Sequence, residues 1–415
     1  MSKGITASNI TLQERRFSEG PDAYIPMILH NGALYDAELD RFFCDLPLNG
    51  VRSRHSLRAY GYDVLVWVRF LSEACKKTIW QADRYDVLAY HRVRRRVVAE
   101  QRISGASWNR AVACLDRLYR WGVQKGLITQ APFTHRSVWR QGYAGQRIQI
   151  TARNDAYEPA ARRADVSFVT LDDYRCFRDV GLKTLLPDGR TRPGARDRNG
   201  IRNSLFSDLL VTTGLRLEEA SSLFASDFVF TDQRSSRQIW LDLPDAQTKG
   251  DRGRQILIPS RLLEQVRAYV DVERSYAVAK FQQRSLWRSI VQPIFVRRER
   301  NTTHIRLLNG GDIALDLLDP EERSRIIICE KDGTPSEPAA LWLSEIGMPV
   351  QPNTWEVIFA RASNRCKSFE FNICISPHQL RHTFAVHMLA MLIQHRIRDA
   401  TLPTGSRGRF RLGAE

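Results

Sequence analysis

The 415-residue sequence is short of three things, and each absence excludes a class of answer. It has no Cys-x-x-Cys pair. Its seven cysteines (Cys44, Cys75, Cys114, Cys176, Cys329, Cys366 and Cys374) are scattered, and most sit in apolar contexts, as Cys114 does between Ala113 and Leu115. That usage fits reduced core thiols in a cytosolic protein, not a disulfide framework or a zinc site. It has no apolar run approaching a membrane span, and its polar first twenty residues lack a signal core. Without a Lys-rich amphipathic helix or a lipidation signal, a membrane-surface role is disfavoured too. A soluble, cytoplasmic protein is expected. Finally, no tyrosine follows Tyr276, so the last third of the chain offers no phenolic hydroxyl.

What is present is positive charge. The formal net charge is +16, with 62 Lys and Arg against 46 Asp and Glu, and this favours a polyanionic partner. An apolar fraction of 43% and nine tryptophans indicate folded material, and the length allows two or three domains.

Periodicity divides the chain. Residues 1–33 read as an irregular leader, with a short strand at Tyr24–Leu29. From 34 to 131 the pattern is helical: Leu57, Tyr60, Val64, Trp67, Val68 and Leu71 recur at spacings of three and four. A second helix is expected over Asp83–Glu100. A third is expected from an N-cap at Ser107, through Val112, Leu115, Leu118, Tyr119 and Val123, to Gly126. Arg92, Arg94, Arg95, Arg96, Arg102, Arg110, Arg117 and Arg120 lie along these helices with only Glu100 and Asp116 among them. A solvated face is the ordinary meaning of such a run; its density favours phosphate contact. Residues 132–167 read as a linker. A second, mixed domain is expected over 168–400, opening on a helix capped by Thr170. Within it a buried helix runs over Ile201–Val211, and Gln238–Leu243 pairs with Arg254–Ile258 as a hairpin. Strands at Pro293–Val296 and Arg325–Cys329 fall in 284–345, the least legible segment. Residues 401–415 read as a frayed tail. The fold class is mainly α with small β-hairpin and sheet elements (α+β).

Two segments carry candidate chemistry. In Ser376–Ala385 (SPHQLRHTFA), Ser376 and Pro377 read as N-cap and first helical residue, which puts His378 and Arg381 on one face of the first turn. His378 and His382 match an i,i+4 metal pair, but no third ligand is evident, so no metal is expected. In Thr212–Leu223 (TTGLRLEEASSL), Arg216 follows a glycine turn and Glu219 stands one turn on, placed to pair with it. Two guanidiniums and an imidazole suit a phosphodiester and the negative charge that grows on it in strand transfer. Lys249, in Thr248-Lys249-Gly250, occupies the hairpin connection, where a lysine can protonate a leaving oxygen.

The order Arg216, Lys249, His378, Arg381, with these local contexts, resembles the tyrosine recombinase (phage integrase) family. Residues 56–71 and 107–128 resemble its helical core-binding domain, and the likeness spans about residues 35–395. It implies two domains that clamp duplex DNA, and Arg216 and Arg381 on the non-bridging oxygens of the scissile phosphate. It also implies His378 at the nucleophile's proton or the phosphate, Lys249 as acid to the departing 5′ oxygen, and Glu219 and His382 as support. A tyrosine attacks in that family and conserves the bond energy, so no cofactor is needed.

The sequence departs from the family after Arg381: neither the second His/Trp motif nor the tyrosine follows, and no nucleophile is found. The chain is therefore expected to bind DNA in site-specific recombination or integration, as part of a mobile element, without cleaving DNA by itself. The alternative is a catalytically silent DNA-binding partner of complete recombinases. Partners are double-stranded DNA and a homo-oligomer or recombinase, with no membrane and no small-molecule substrate. The DNA downstream of codon 415 would separate a shortened recombinase from a silent one.

Overall fold

A computed structural model describes residues 9–15, 25–51, 53–141, 147–158, 168–191, 199–228, 238–248, 252–298 and 304–401. The chain divides into two compact units, Met1–Ala164 and Asp165–Glu415. Both are mainly helical with small sheets, as the sequence indicates.

In the first unit, β1 (Ile10–Arg15), β2 (Ile25–His30) and β3 (Ala33–Leu34) form an antiparallel sheet in that order. The leader is thus not irregular where it is described. Ile10, Ile25 and Ile28 are buried in the same core as Leu57, Val64 and Trp67. β1 is short and only Ile10 is buried in it, so it carries little apolar signal. Four helices follow: α1 (Ala37–Asp45), α2 (Arg54–Phe70), α3 (Arg84–Arg95) and α4 (Gly105–Gln124). Gly61 lets α2 approach the sheet, since a Cβ there would stand 2.7 Å from the Pro26 Cβ. The cap of α4 is Ser104, not Ser107: the Ser104 hydroxyl accepts from the Ser107 N–H at 3.0 Å, so the helix starts earlier. α3 ends at Arg95, short of the expected Glu100. The core is aromatic, and two of its buried polar rings are paired. Trp67 Nε1 donates to the Tyr119 hydroxyl at 2.7 Å, which donates to the Ile79 carbonyl at 2.8 Å.

The stretch 132–167, read as a linker, contains an antiparallel hairpin of β4 (His135–Gln141) and β5 (Arg147–Asn154). Its strands are rich in polar and basic residues, and their apolar alternation, Ile148, Ile150 and Ala152, is too short to stand out.

The second unit begins with α5 (Leu171–Cys176), capped by Thr170, and continues through α6 (Gly200–Thr213) and α7 (Leu217–Ser221). The expected hairpin is present: β6 (Gln238–Leu243) pairs antiparallel with β7 (Arg254–Pro259). Next come α8 (Ser260–Tyr269) and α9 (Ser275–Gln283). The poorly legible segment holds β8 (Ile294–Arg297), β9 (His304–Arg306), β10 (Asp312–Ala314), α10 (Pro320–Ser324), β11 (Ile326–Cys329) and β12 (Pro335–Pro338). β11 runs parallel to β8 and antiparallel to β12. β8 and β11 match the strands expected at Pro293–Val296 and Arg325–Cys329, while their parallel pairing, between segments far apart in the chain, leaves little local signal. α11 (Pro352–Ser368) and α12 (Pro377–Thr401) complete the unit.

The second core forms around α6, where Phe206 stacks on Trp355 at 3.6 Å between ring centroids. Leu380, near the start of α12, is fully buried in it. Beyond Ala385, α12 exposes Leu389, Met391, Leu392, Ile393 and Ile397. Of the expected tail, 402–415 lie outside the described residues. Among the described residues, no helix is long and apolar enough to cross a membrane.

Candidate active site

α6 ends because Gly214 adopts the left-handed conformation (φ 65°), which turns the chain at once into α7. Buried Leu215 pins the turn in the core, and Arg216 becomes the N-cap of α7. Arg216 is then held twice by Glu219. Its backbone N–H donates to Glu219 Oε2 at 2.8 Å, and its Nη1 donates to Oε1 at 2.7 Å.

A second arginine reaches the same carboxylate. Arg254, the first residue of β7, donates Nη1 to Glu219 Oε1 at 3.0 Å and Nη2 to Oε2 at 2.5 Å. Glu219 is only 1% exposed. Burial alone would raise its carboxyl pKa, but the bonds from Arg254 and then Arg216 outweigh it and hold the group below its ordinary range. Glu219 is ionised, and two guanidiniums share it.

Arg381 stands in the first turn of α12, which the sequence places correctly. The Ser376 hydroxyl accepts from the Gln379 N–H, and Gln379 Oε1 accepts from the Ser376 N–H. Arg381 Nη1 donates to the Gly214 carbonyl, so it is tied to the very turn that presents Arg216. Burial, then repulsion from Arg216 and Arg254, lowers its pKa against the pull of Glu219. Arg381 thus lies within electrostatic reach of the two guanidiniums that share Glu219, an arrangement that favours an incoming anion.

His378, one turn before His382, has its Nε2 2.9 Å from that of His382, with the rings at 79°. Its pKa is depressed by burial, by His382 and by Arg381. α12 is fixed to the start of the unit through Thr383, whose hydroxyl accepts from the Val169 N–H and donates to the Gln379 carbonyl.

Lys249 lies outside the described residues. The chain on either side of it is anchored. Buried Gln247 donates to the Glu219 carbonyl at 3.1 Å and to the Ser222 hydroxyl at 2.9 Å, and the Thr248 hydroxyl accepts from the Arg252 N–H. Arg254 and Gln247 escape sequence reading. A charged residue opening a strand and a glutamine in a turn are unremarkable until the partner carboxylate is seen.

The N-terminal arginines divide. Arg95 binds Glu158 at 2.5 Å, and with His91 it holds that carboxyl down to about 2. Arg110 makes a two-pronged bond to Asp63 and Arg120 binds Asp116, although both stay more than half exposed. Arg117 and Arg102 donate to the carbonyls of Asn49 and Val97. Arg94 lies 6.0 Å over the Tyr90 ring. Arg92 and Arg96 are exposed.

Comparison with known proteins gives the family. The family profile "Phage integrase, N-terminal SAM-like domain" matches residues 39–126, and "Phage integrase family" matches residues 192–397. Among solved structures, the chain is similar to XerH site-specific recombinase in a post-cleavage complex with a palindromic difH substrate. Identity is 13%, over 89% of this chain and 77% of that chain, with a TM-score of 0.46. The Tn1549 transposon integrase in complex with circular-intermediate DNA is similar at 12% identity, over 85% and 86%, with a TM-score of 0.44. XerA recombinase is similar at 14% identity, over 86% of each chain, with a TM-score of 0.29. No curated protein sequence matches the chain. On the two profile matches and the motifs they enclose, the chain belongs to the tyrosine recombinase (phage integrase) family of site-specific DNA recombination proteins.

Proposed function

We propose that this protein binds duplex DNA and grips one backbone phosphate with Arg216, Arg381 and His378, with Lys249 delivered by the β6–β7 connection. The observation that carries the reading is that Arg381 is bonded to the Gly214 turn that presents Arg216, beside the Arg216–Glu219–Arg254 cluster. A diester oxygen pair meeting Arg216 and Arg381 replaces their mutual repulsion with charge-assisted bonds. As charge grows on phosphorus, those bonds strengthen most at the transition state.

In the strand-transfer step, a tyrosine oxygen bonds to phosphorus while the bond to the 5′ oxygen breaks. His378 takes or shares the attacking hydroxyl's proton, and Lys249 gives one to the leaving oxygen. These 415 residues hold no tyrosine after Arg381; Tyr276, the last, lies on α9 beneath Lys280. The residues named here account for the grip and the proton transfers.

A nicked suicide duplex tests the assignment. Incubated with the 415-residue chain, it should be bound without a covalent protein–DNA adduct. Addition of a complete recombinase of the same family should allow one to form. A stable adduct with the chain by itself would overturn the nucleophile assignment, and failure to bind duplex DNA would overturn the whole reading.

A further inference from the structure

Glu219 has more cationic partners than holding Arg216 requires. If Arg216 were its sole partner, the pair would be neutral, and a buried carboxylate would compete with DNA for the guanidinium. Arg254 changes that balance. It takes both carboxylate oxygens, at 3.0 and 2.5 Å, whereas of Arg216's guanidinium nitrogens only Nη1 bonds Glu219. The Arg216–Glu219–Arg254 group therefore keeps a net positive charge, with Arg216 aimed rather than consumed.

The same bond has a mechanical consequence. Arg254 opens β7 at the end of the connection that carries Lys249, and Gln247 ties the start of that connection to the Glu219 carbonyl. Asp245 closes the base of the connection by accepting from the Gly253 N–H at 2.5 Å. Both ends of the Lys249 segment are thus referenced to one residue of α7. Any shift of the hairpin pulls on the carboxylate that aims Arg216.

We infer that Arg254 is a positioning residue for the phosphate grip, acting through Glu219 to keep Arg216 charged, aimed and in register with the Lys249 connection. The inference rests on the phosphate-grip reading and names a residue which that reading does not use.

The test is a double-mutant cycle on the full chain with Arg254→Met, Glu219→Gln and both, with Arg254→Lys as the conservative control. A duplex selected from a random pool is used intact and with single neutral methylphosphonate linkages. Arg254→Met should weaken binding of the intact duplex about tenfold. It should cost less than twofold on the duplex whose gripped phosphate is neutral. Arg254→Lys should recover part of the loss, and adding Arg254→Met to Glu219→Gln should cost little more. Equal losses on both duplexes, or additive losses in the double variant, would overturn the inference. Urea midpoints of the same four proteins separate the two levels. Non-additive midpoints with no phosphate-sensitive linkage in the wild type would reject the grip and the role of Arg254 in it, leaving a structural coupling; additive midpoints would reject the coupling itself.

Discussion

His378 and His382 meet ring to ring one turn apart on α12, with their Nε2 atoms 2.9 Å apart. One proton can lie between them, and a second is opposed by the neighbouring imidazole and by Arg381, which with burial depresses the pKa of His378. A bound phosphate supplies the opposite influence and raises it. Binding then takes up a proton, so DNA affinity should climb as pH falls. The gain is absent above the DNA-bound pKa and complete below the free-protein pKa, which lies under the ordinary histidine value of 6.5. Fluorescence anisotropy between pH 5 and 8 should show this slope. His378→Asn should flatten it, and His382→Asn should move it to higher pH. An unchanged slope in His378→Asn would place the titrating group elsewhere.

Gly214 joins fold and site. Its left-handed backbone strains a residue with a side chain, and an added Cβ would run into the Phe384 ring on α12. Gly214→Ala should cost about 3 kcal/mol, combining backbone strain with overpacking. It should also displace Arg381 from the Gly214 carbonyl. Urea denaturation and DNA affinity together check this, and a loss of stability that leaves affinity intact at full folding would disconnect the turn from the site.

Removing the shared carboxylate should hurt more than removing either exposed partner. Glu219→Ala leaves Arg216 and Arg254 facing each other without a counter-charge. Because both arginines are about a third exposed, the cost is below that of a fully buried pair, about 2 kcal/mol. A midpoint equal to the wild type would show that the cluster adds nothing to the fold.

Affinity for duplex DNA should fall linearly on a log–log salt plot, by about 0.9 log unit for each phosphate neutralised. Arg92→Gln and Arg96→Gln, at exposed positions, should each shallow the slope. Arg95→Gln should lower stability instead, because Arg95 holds Glu158. Slopes that ignore Arg92 and Arg96 would remove that face from the DNA contact.

The helical spacing of Leu57 to Leu71, the β6–β7 hairpin and the capped start of α12 were all legible, because each is a local pattern. Arg216 and Arg381 were legible as types in order. Their shared dependence on Gly214, and the arrival of Arg254 at Glu219, were not, since hydrogen bonds between residues 35 or 167 positions apart leave no periodic trace. β8 and β11 were legible as strands, whereas their parallel pairing with each other, which joins segments far apart in the chain, was not, nor was β12. β1 is obscured for a different cause: it is a short strand in which only Ile10 is buried.

Scanning a bound duplex with one neutral linkage at a time, using the wild type and an Arg216→Ala, Arg381→Ala double variant, is the most direct measurement of the central claim. The account predicts a single phosphate whose neutralisation weakens the wild type tenfold or more, about the scale of charge-assisted bonds, and leaves the double variant nearly unaffected. Losses spread evenly along the duplex, or a sensitive position that persists in the double variant, would show that the two arginines do not converge on one phosphate.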